Sequence, residues 1–211
     1  MHQRDLYLDS LPKDTKKILP DNNGALAQIK EAASIQYDAR LSYRLMEALR
    51  NYSQHSDLPI HGITTHASRD STVEPTTLSF AVLPVLDYEQ LAQDKNFKRT
   101  VLEEISKLEK IDLKSMVREY IEGLSTVHSA FRMTTNPKRK SWNERLGNAV
   151  KRFRDQFPDE STKALAILPV DTDGHKAGEE VYIAGPITDY LDHMQNKYST
   201  MVNFAKRRVN F

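Results

Sequence analysis

The stretch LSYRLMEALRNYSQHSDLP, residues 41–59, decides the reading of the fold. Leu41, Leu45, Ala48, Leu49 and Tyr52, with Tyr37 one turn earlier, recur at three- and four-residue steps, the spacing of one helix face. Asp57, Leu58 and Pro59 follow, and the residue before a proline resists helical geometry, so the helix is predicted to stop by Ser56. Its last turns gather Arg50, Asn51 and His55. Asn51 and His55 are four apart and share a face. Arg50 is five residues from His55, about 140° around the helix. Arg50 and His55 converge on one ligand only if the helix end loosens or a second copy supplies the partner.

Upstream, Leu26, Ile29 and Ala33 continue the stripe back to the turn signal Asn22-Asn23-Gly24, which predicts one long helix over 25–55 with Ser34 as its weakest point. Residues 4–20, with Pro12 inside and Pro20 at the end, read as an irregular arm or one short helix. Downstream, 60–66 and 77–85 are rich in β-branched and aromatic residues and predict a hairpin. A hairpin alone is marginal, so it is expected to lean on helices or more strands. Asp87 caps a helix from Tyr88, and Phe97, Val101, Leu102, Ile105 and Leu108 form an apolar face. Asp112 caps a further helix carrying Leu113, Met116, Val117, Tyr120, Ile121, Leu124, Val127, His128 and Phe131.

Thr134-Thr135-Asn136-Pro137 is expected to end that helix and to separate two domains, 1–135 and 136–211. The second reads as an appendage. It has a basic helix over 142–157, with Leu146, Ala149, Val150 and Phe153 inward, and short strands at 164–170 and 180–184 about the turn Asp171-Thr172-Asp173-Gly174. A helix is expected over 187–204. The expected class is α+β, mainly α: a helical core with a β-hairpin insertion and a small C-terminal αβ appendage.

The charge nearly cancels, with Lys+Arg 30 against Asp+Glu 29, so attraction to phosphate or membrane needs a local patch. No cysteine is present, which excludes disulfides, thiolate metal sites and a cysteine nucleophile and fits a reducing compartment. The N-terminus has no apolar segment of signal-peptide length, and the apolar run Phe80–Leu86 is too short to span a bilayer. A cytoplasmic protein with no membrane partner is expected.

The hexapeptide Arg50-Asn51-Tyr52-Ser53-Gln54-His55 is the chemically pointed motif. An arginine, a polar residue, three residues and a histidine form the signature of the HEPN superfamily of helical nucleotide-binding and ribonuclease domains, which this stretch resembles. The flanks, Tyr43-Arg44-Leu45 and Leu58-Pro59-Ile60, are similar to bacterial HEPN-like proteins with an RNYxQH…LPI block. The block covers about 20 residues. The resemblance implies a metal-independent endoribonuclease that leaves a 2′,3′-cyclic phosphate. It implies a homodimer pairing two motifs, and a toxin or phage-defence role with an antitoxin or other protein regulator. The residue types suit that chemistry. Histidine transfers protons near neutrality, arginine grips phosphate with parallel donors, and Asn51 can orient the imidazole or donate to phosphate. Competing with this is a packing role, in which Arg50 pairs with Glu47 or Glu31 and His55 only answers the helix dipole. Then the chain is a non-catalytic RNA- or nucleotide-binding or protein-interaction module.

Tyr52 lies on the apolar stripe and reads as core; Ser53 and Gln54 read as solvated or capping. His61 and His66 fit no zinc spacing and fall on opposite strand faces, so no metal or other cofactor is expected. His128 reads as a buried helix histidine, His175 as a loop residue and His193 as a surface one. The Asp171 turn lacks the later glutamate of a calcium loop. Lys138, Arg139, Lys140, Arg145, Lys151, Arg152 and Arg154, against Glu144 alone, form a candidate RNA or phosphate surface, with Lys206, Arg207 and Arg208 as a further basic end. Trp142 and Phe153 sit within it and suit either stacking or core.

Overall fold

In the computed structural model the apolar stripe of residues 41–55 becomes helix α3, Leu41–His55, closed by Ser56, whose N–H donates to the Tyr52 carbonyl. The structure describes residues 7–70, 77–159, 165–182, 192–194, 196–197, 201 and 203–204. Its elements are α1 (Tyr7–Ile18), α2 (Asn23–Ala39), α3, β1 (Gly62–Asp70), β2 (Thr77–Val85), α4 (Tyr88–Gln93), α5 (Arg99–Ile105), α6 (Leu113–Gln156), β3 (Ala166–Ile167) and β4 (Val181–Tyr182). The class is α+β, mainly helical. The chain forms two units, 27–130 with 201–211, and 1–26 with 131–200. Among the described residues no helix is long and apolar enough to cross a membrane.

The unit of residues 27–130 holds the larger core. Leu45, Ala48, Leu49 and Tyr52 of α3 pack with Leu91 of α4, Phe97, Val101, Leu102 and Ile105 around α5, and Leu113 at the start of α6. Asp87 caps α4 by accepting from the N–H groups of Glu89 and Gln90. Asp112 accepts from the Ser115 N–H at the start of α6. Both caps satisfy orphan helix donors where the sequence places them.

The long helix expected over 25–55 is two. The break falls at Arg40, in extended geometry with φ −129°, and not at Ser34. Arg44 accounts for it. Its Nη1 donates to the carbonyls of Tyr37 and Asp38 at 2.7 and 2.8 Å, capping the frayed end of α2. The same guanidinium grips Glu104 of α5 through Nε at 3.1 Å and Nη2 at 2.5 Å. Arg40 donates to the Glu119 carbonyl and lies 3.5 Å from Glu122, so the corner is pinned to α6. A Cβ on Gly123 of α6 would stand 2.8 Å from the Tyr43 ring, so only glycine lets α6 approach α3 this closely.

β1 and β2 pair antiparallel from Gly62↔Val85 to Asp70↔Thr77. The expectation that the hairpin leans on a core is overturned for one of its two faces. Ile63, Leu78, Phe80 and Val82 are 68, 61, 75 and 49 % exposed and share one uncovered face. At the base the Asp87 N–H donates to His61 Nδ1 at 3.0 Å and the His61 ring meets Tyr52 edge-on, and the opposite face, with Thr64, His66 and Leu83, borders a cavity it shares with Ile105, Ile111 and Leu113.

In the other unit, residues 7–18 form α1 with Pro12 inside it. The helix stop expected at Thr134–Pro137 does not occur, because α6 runs through to Gln156. An interior proline costs about 3 kcal/mol by deleting one N–H and crowding the turn before it. Here the carbonyl deprived of its donor belongs to Met133, a residue 77 % exposed and so on the solvent side of the helix. The Thr135 hydroxyl also bonds the Phe131 carbonyl at 2.8 Å, holding the turn before the proline. β3 and β4 pair through only Ala166↔Tyr182 and Ile167↔Val181. Between them Asp171 Oδ1 accepts from the N–H groups of Asp173 and His175, and Gly174 takes φ +86°. Of the helix expected over 187–204, residues 192–194 and 196–197 are helical, whereas Met201 is not and Asn203, at φ +58°, stands in a turn, so the expected helix does not reach 204; 187–191, 195, 198–200, 202 and the basic residues Lys206, Arg207 and Arg208 lie outside the described residues.

Candidate functional site

The C-terminal turn of α3 faces two ways. On one side Asn51, Tyr52 and His55 line an open cavity of about 300 Å³, completed by Ser56, Asp94, Asn96 and Phe97. His55 and Asn51 are exposed there, while Tyr52 and Phe97 are buried behind them with ring centroids 6.0 Å apart. The four-residue spacing of Asn51 and His55 therefore does what the sequence predicts.

Arg50 faces the other side. Its Nη1 lies 3.3 Å from Glu47 Oε2, the i−3 partner, and Arg50 is not part of the cavity lining. Glu47 is held further by the Tyr120 hydroxyl, which donates to Oε1 at 3.0 Å. Burial pushes the Tyr43 hydroxyl up to about 12, with the Glu47 charge adding to it, and raises Tyr120 in the same way. Both phenols stay protonated. Convergence of Arg50 and His55 within one chain is thus not found. Arg50 instead reaches the cavity indirectly, since its Nη2 donates to Asn51 Oδ1 at 3.3 Å. That bond fixes which way the amide points, and its nitrogen is the group's donor toward a ligand. Arg50 Nε is buried without a hydrogen-bond partner, as is the Tyr43 hydroxyl. Ser53 bonds back to the Arg50 carbonyl at 2.8 Å.

Asp94 was not singled out from the sequence. The Ser56 hydroxyl donates to its Oδ2, and the Asn96 N–H donates to Oδ1 at 2.6 Å. These bonds, the Ser56 bond first, hold its carboxyl below the usual carboxylate range. Asp94 is therefore a fixed negative charge in the cavity at neutral pH. The only available signal was Asp94 preceding Asn96, a turn-forming pair, and nothing local connected it to α3. Lys95, between them in sequence, is exposed and is not part of the lining.

Substituting Arg50→Ala removes the partner of Glu47, whose side chain is 20 % exposed. The expected loss is about 1 kcal/mol, discounted for that exposure. It should appear as a fall of about 2–4 °C in Tm. Arg50→Lys should restore stability and not the Asn51 contact. An unchanged Tm for Arg50→Ala would show that the pair holds nothing.

The cations of 138–154 lie on the C-terminal part of α6. At 100° per residue, Lys138, Arg145 and Arg152 form one stripe, and Lys140, Lys151 and Arg154 another roughly opposite. All six are exposed. Arg139 lies between the stripes and is engaged, donating to Asn136 Oδ1 at 3.2 Å and Asp192 Oδ1 at 3.0 Å. Leu146, Val150 and Phe153 are partly buried, whereas Ala149, expected inward, is exposed. Trp142 is 44 % exposed with the Lys138 ammonium 5.9 Å from its ring centroid, which leaves it open to stacking. Reversing Lys138, Arg145 and Arg152 to glutamate should weaken RNA binding across sequences and lower the salt slope by about 0.7 per lost contact. Equal affinity at low salt would reduce the stripe to a solvated face.

His61 Nε2 is buried without a partner, and His66 is exposed on β1. Among the described residues no group of three His, Cys, Asp or Glu is placed to hold a metal. His175 and His193 are exposed, and His128 is partly buried. Comparison of the chain with protein-family models, with curated proteins and with solved structures gives no match.

Proposed function

We propose that this chain is a HEPN-like protein that acts on RNA, as a metal-independent endoribonuclease using the 2′-OH as nucleophile and leaving a 2′,3′-cyclic phosphate. The observation that carries the reading is the opening of His55 and Asn51 together onto one solvent-facing cavity at the end of α3. His55 transfers the proton, and Asn51, steadied by Arg50, donates to the substrate. A single histidine leaves the second proton transfer to another group. A homodimer presenting a second His55 supplies it, as the family resemblance implies. Asp94 is a poor substitute, because the bonds that lower its pKa also weaken it as a base. The exposed cations of α6 suit phosphate contact. A toxin or phage-defence role in the cytoplasm, restrained by an antitoxin or other regulator, belongs to the same proposal.

One observation favours the rival reading of a non-catalytic RNA- or nucleotide-binding module: Arg50 is paired with Glu47 and not turned to the cavity. The experiment that separates them incubates purified protein with total RNA in EDTA. Cleavage supports the nuclease. RNA bound without cleavage, at any protein concentration, supports the module.

A further inference from the structure

The cavity at the end of α3 has a charge that a phosphate site should not have. No lysine or arginine lines it, and it contains Asp94. A carboxylate repels a phosphate group, so the group seated against Asp94 is not the phosphate but one that turns hydrogen-bond donors to the carboxylate, with the scissile phosphate on the His55 side. A volume of about 300 Å³ is at the small end for ligand sites and suits one planar ring system.

We infer that this cavity selects guanine, with Asp94 accepting from the base and an asparagine amide donating to it. The inference rests on the reading of the cavity as an RNA site and names the base it takes. Among the four bases, guanine alone places two adjacent donors, N1–H and the N2 amino group, beside an acceptor, O6. The two oxygens of a carboxylate match the donor pair. Adenine and cytosine offer one amino group next to a ring acceptor, and uracil one N–H between two carbonyls. Each of these would set an acceptor against Asp94.

Asp94 is prepared for that task. Oδ1 and Oδ2 each already accept one hydrogen bond, from the Asn96 N–H and the Ser56 hydroxyl, which fixes the plane of the carboxylate. Each oxygen retains capacity for another donor. O6 needs an N–H, and the Asn51 amide nitrogen carries two, the amide being oriented by the bond from Arg50 to its oxygen. Asn96 also lines the cavity and carries a second amide of the same kind. A site built to hydrogen-bond a particular edge rejects analogues that leave its polar groups unpaired.

The test titrates the full-length protein with the four nucleoside 3′-monophosphates, all carrying the same phosphate, followed by heteronuclear NMR. Guanosine monophosphate should bind at least about tenfold tighter than the others and shift the Asn51 and Asn96 side-chain amides. Asp94→Asn should remove the preference, and its fold is checked in the same spectra. Equal binding of all four, binding of none, or a preference that survives Asp94→Asn overturns the inference. RNA cleavage assayed alongside keeps the two readings apart. Cleavage without regard to guanine leaves the nuclease standing and removes guanine selection. Guanine binding without cleavage does the reverse.

Discussion

His55→Ala is expected to lower the rate of RNA cleavage by about 10²- to 10⁴-fold, the usual worth of one positioned proton transfer. The loss should fall on kcat, with RNA affinity little changed, because the α6 cations and the Asn51 amide remain. Stability should hold within about 0.5 kcal/mol, since His55 is an exposed side chain at a helix end. Alanine has the higher helix propensity, so the backbone of α3 loses nothing. Single-turnover cleavage of a labelled RNA in EDTA, with circular dichroism on the same samples, measures both. A folded variant that cuts as fast as wild type removes His55 from the chemistry. Cleavage by wild type that appears only with a divalent metal would remove the mechanism.

Leu45→Ala is expected to cost about 2–5 kcal/mol, the range for emptying a leucine-sized space in a packed core. Leu45 is fully buried, at 0 % exposure, among the core residues of α3, α4, α5 and the start of α6. Stabilities of natural domains are about 5–15 kcal/mol, so this one change removes a large fraction. Urea denaturation should show a lower midpoint at unchanged slope. A midpoint within error of wild type would mean that the core closes over the space or is not cooperative. Because Leu45, Leu49 and Tyr52 occupy one face of α3, the same loss loosens the helix end that presents Asn51 and His55.

Much of this was legible in the sequence, where one segment carried its own signal. The stripe from Leu41 to Tyr52 and the stop at Ser56 needed only helical period and a proline. The Asp87 and Asp112 caps needed only an acceptor ahead of an apolar run. Glu47 was identifiable as a partner for Arg50 because it lies one turn earlier on the same helix. What escaped depends on groups distant in the chain. The break at Arg40 is set by Arg44 binding Glu104, sixty residues away, while capping Tyr37 and Asp38. Asp94 enters the cavity only because Ser56 and the end of α3 come to it. Pro137 misled for the opposite reason. The local rule is sound, but a 44-residue helix with its freed carbonyl on the wet side can absorb the cost.

The hairpin of β1 and β2 has a consequence for how the protein behaves in a crowded solution. Each strand is a sheet edge, because among the described residues the sheet contains no other strand. Each outer side therefore offers a row of backbone donors and acceptors to any extended chain that arrives, beside a face of isoleucine, leucine, phenylalanine and valine. Pro84 takes one donor out of β2, and Arg69 adds a charge to β1. Among the described side chains these two act as gatekeepers, and both sit near the ribbon's ends. The middle, about Ala67 and Phe80, is where uncontrolled self-association would begin.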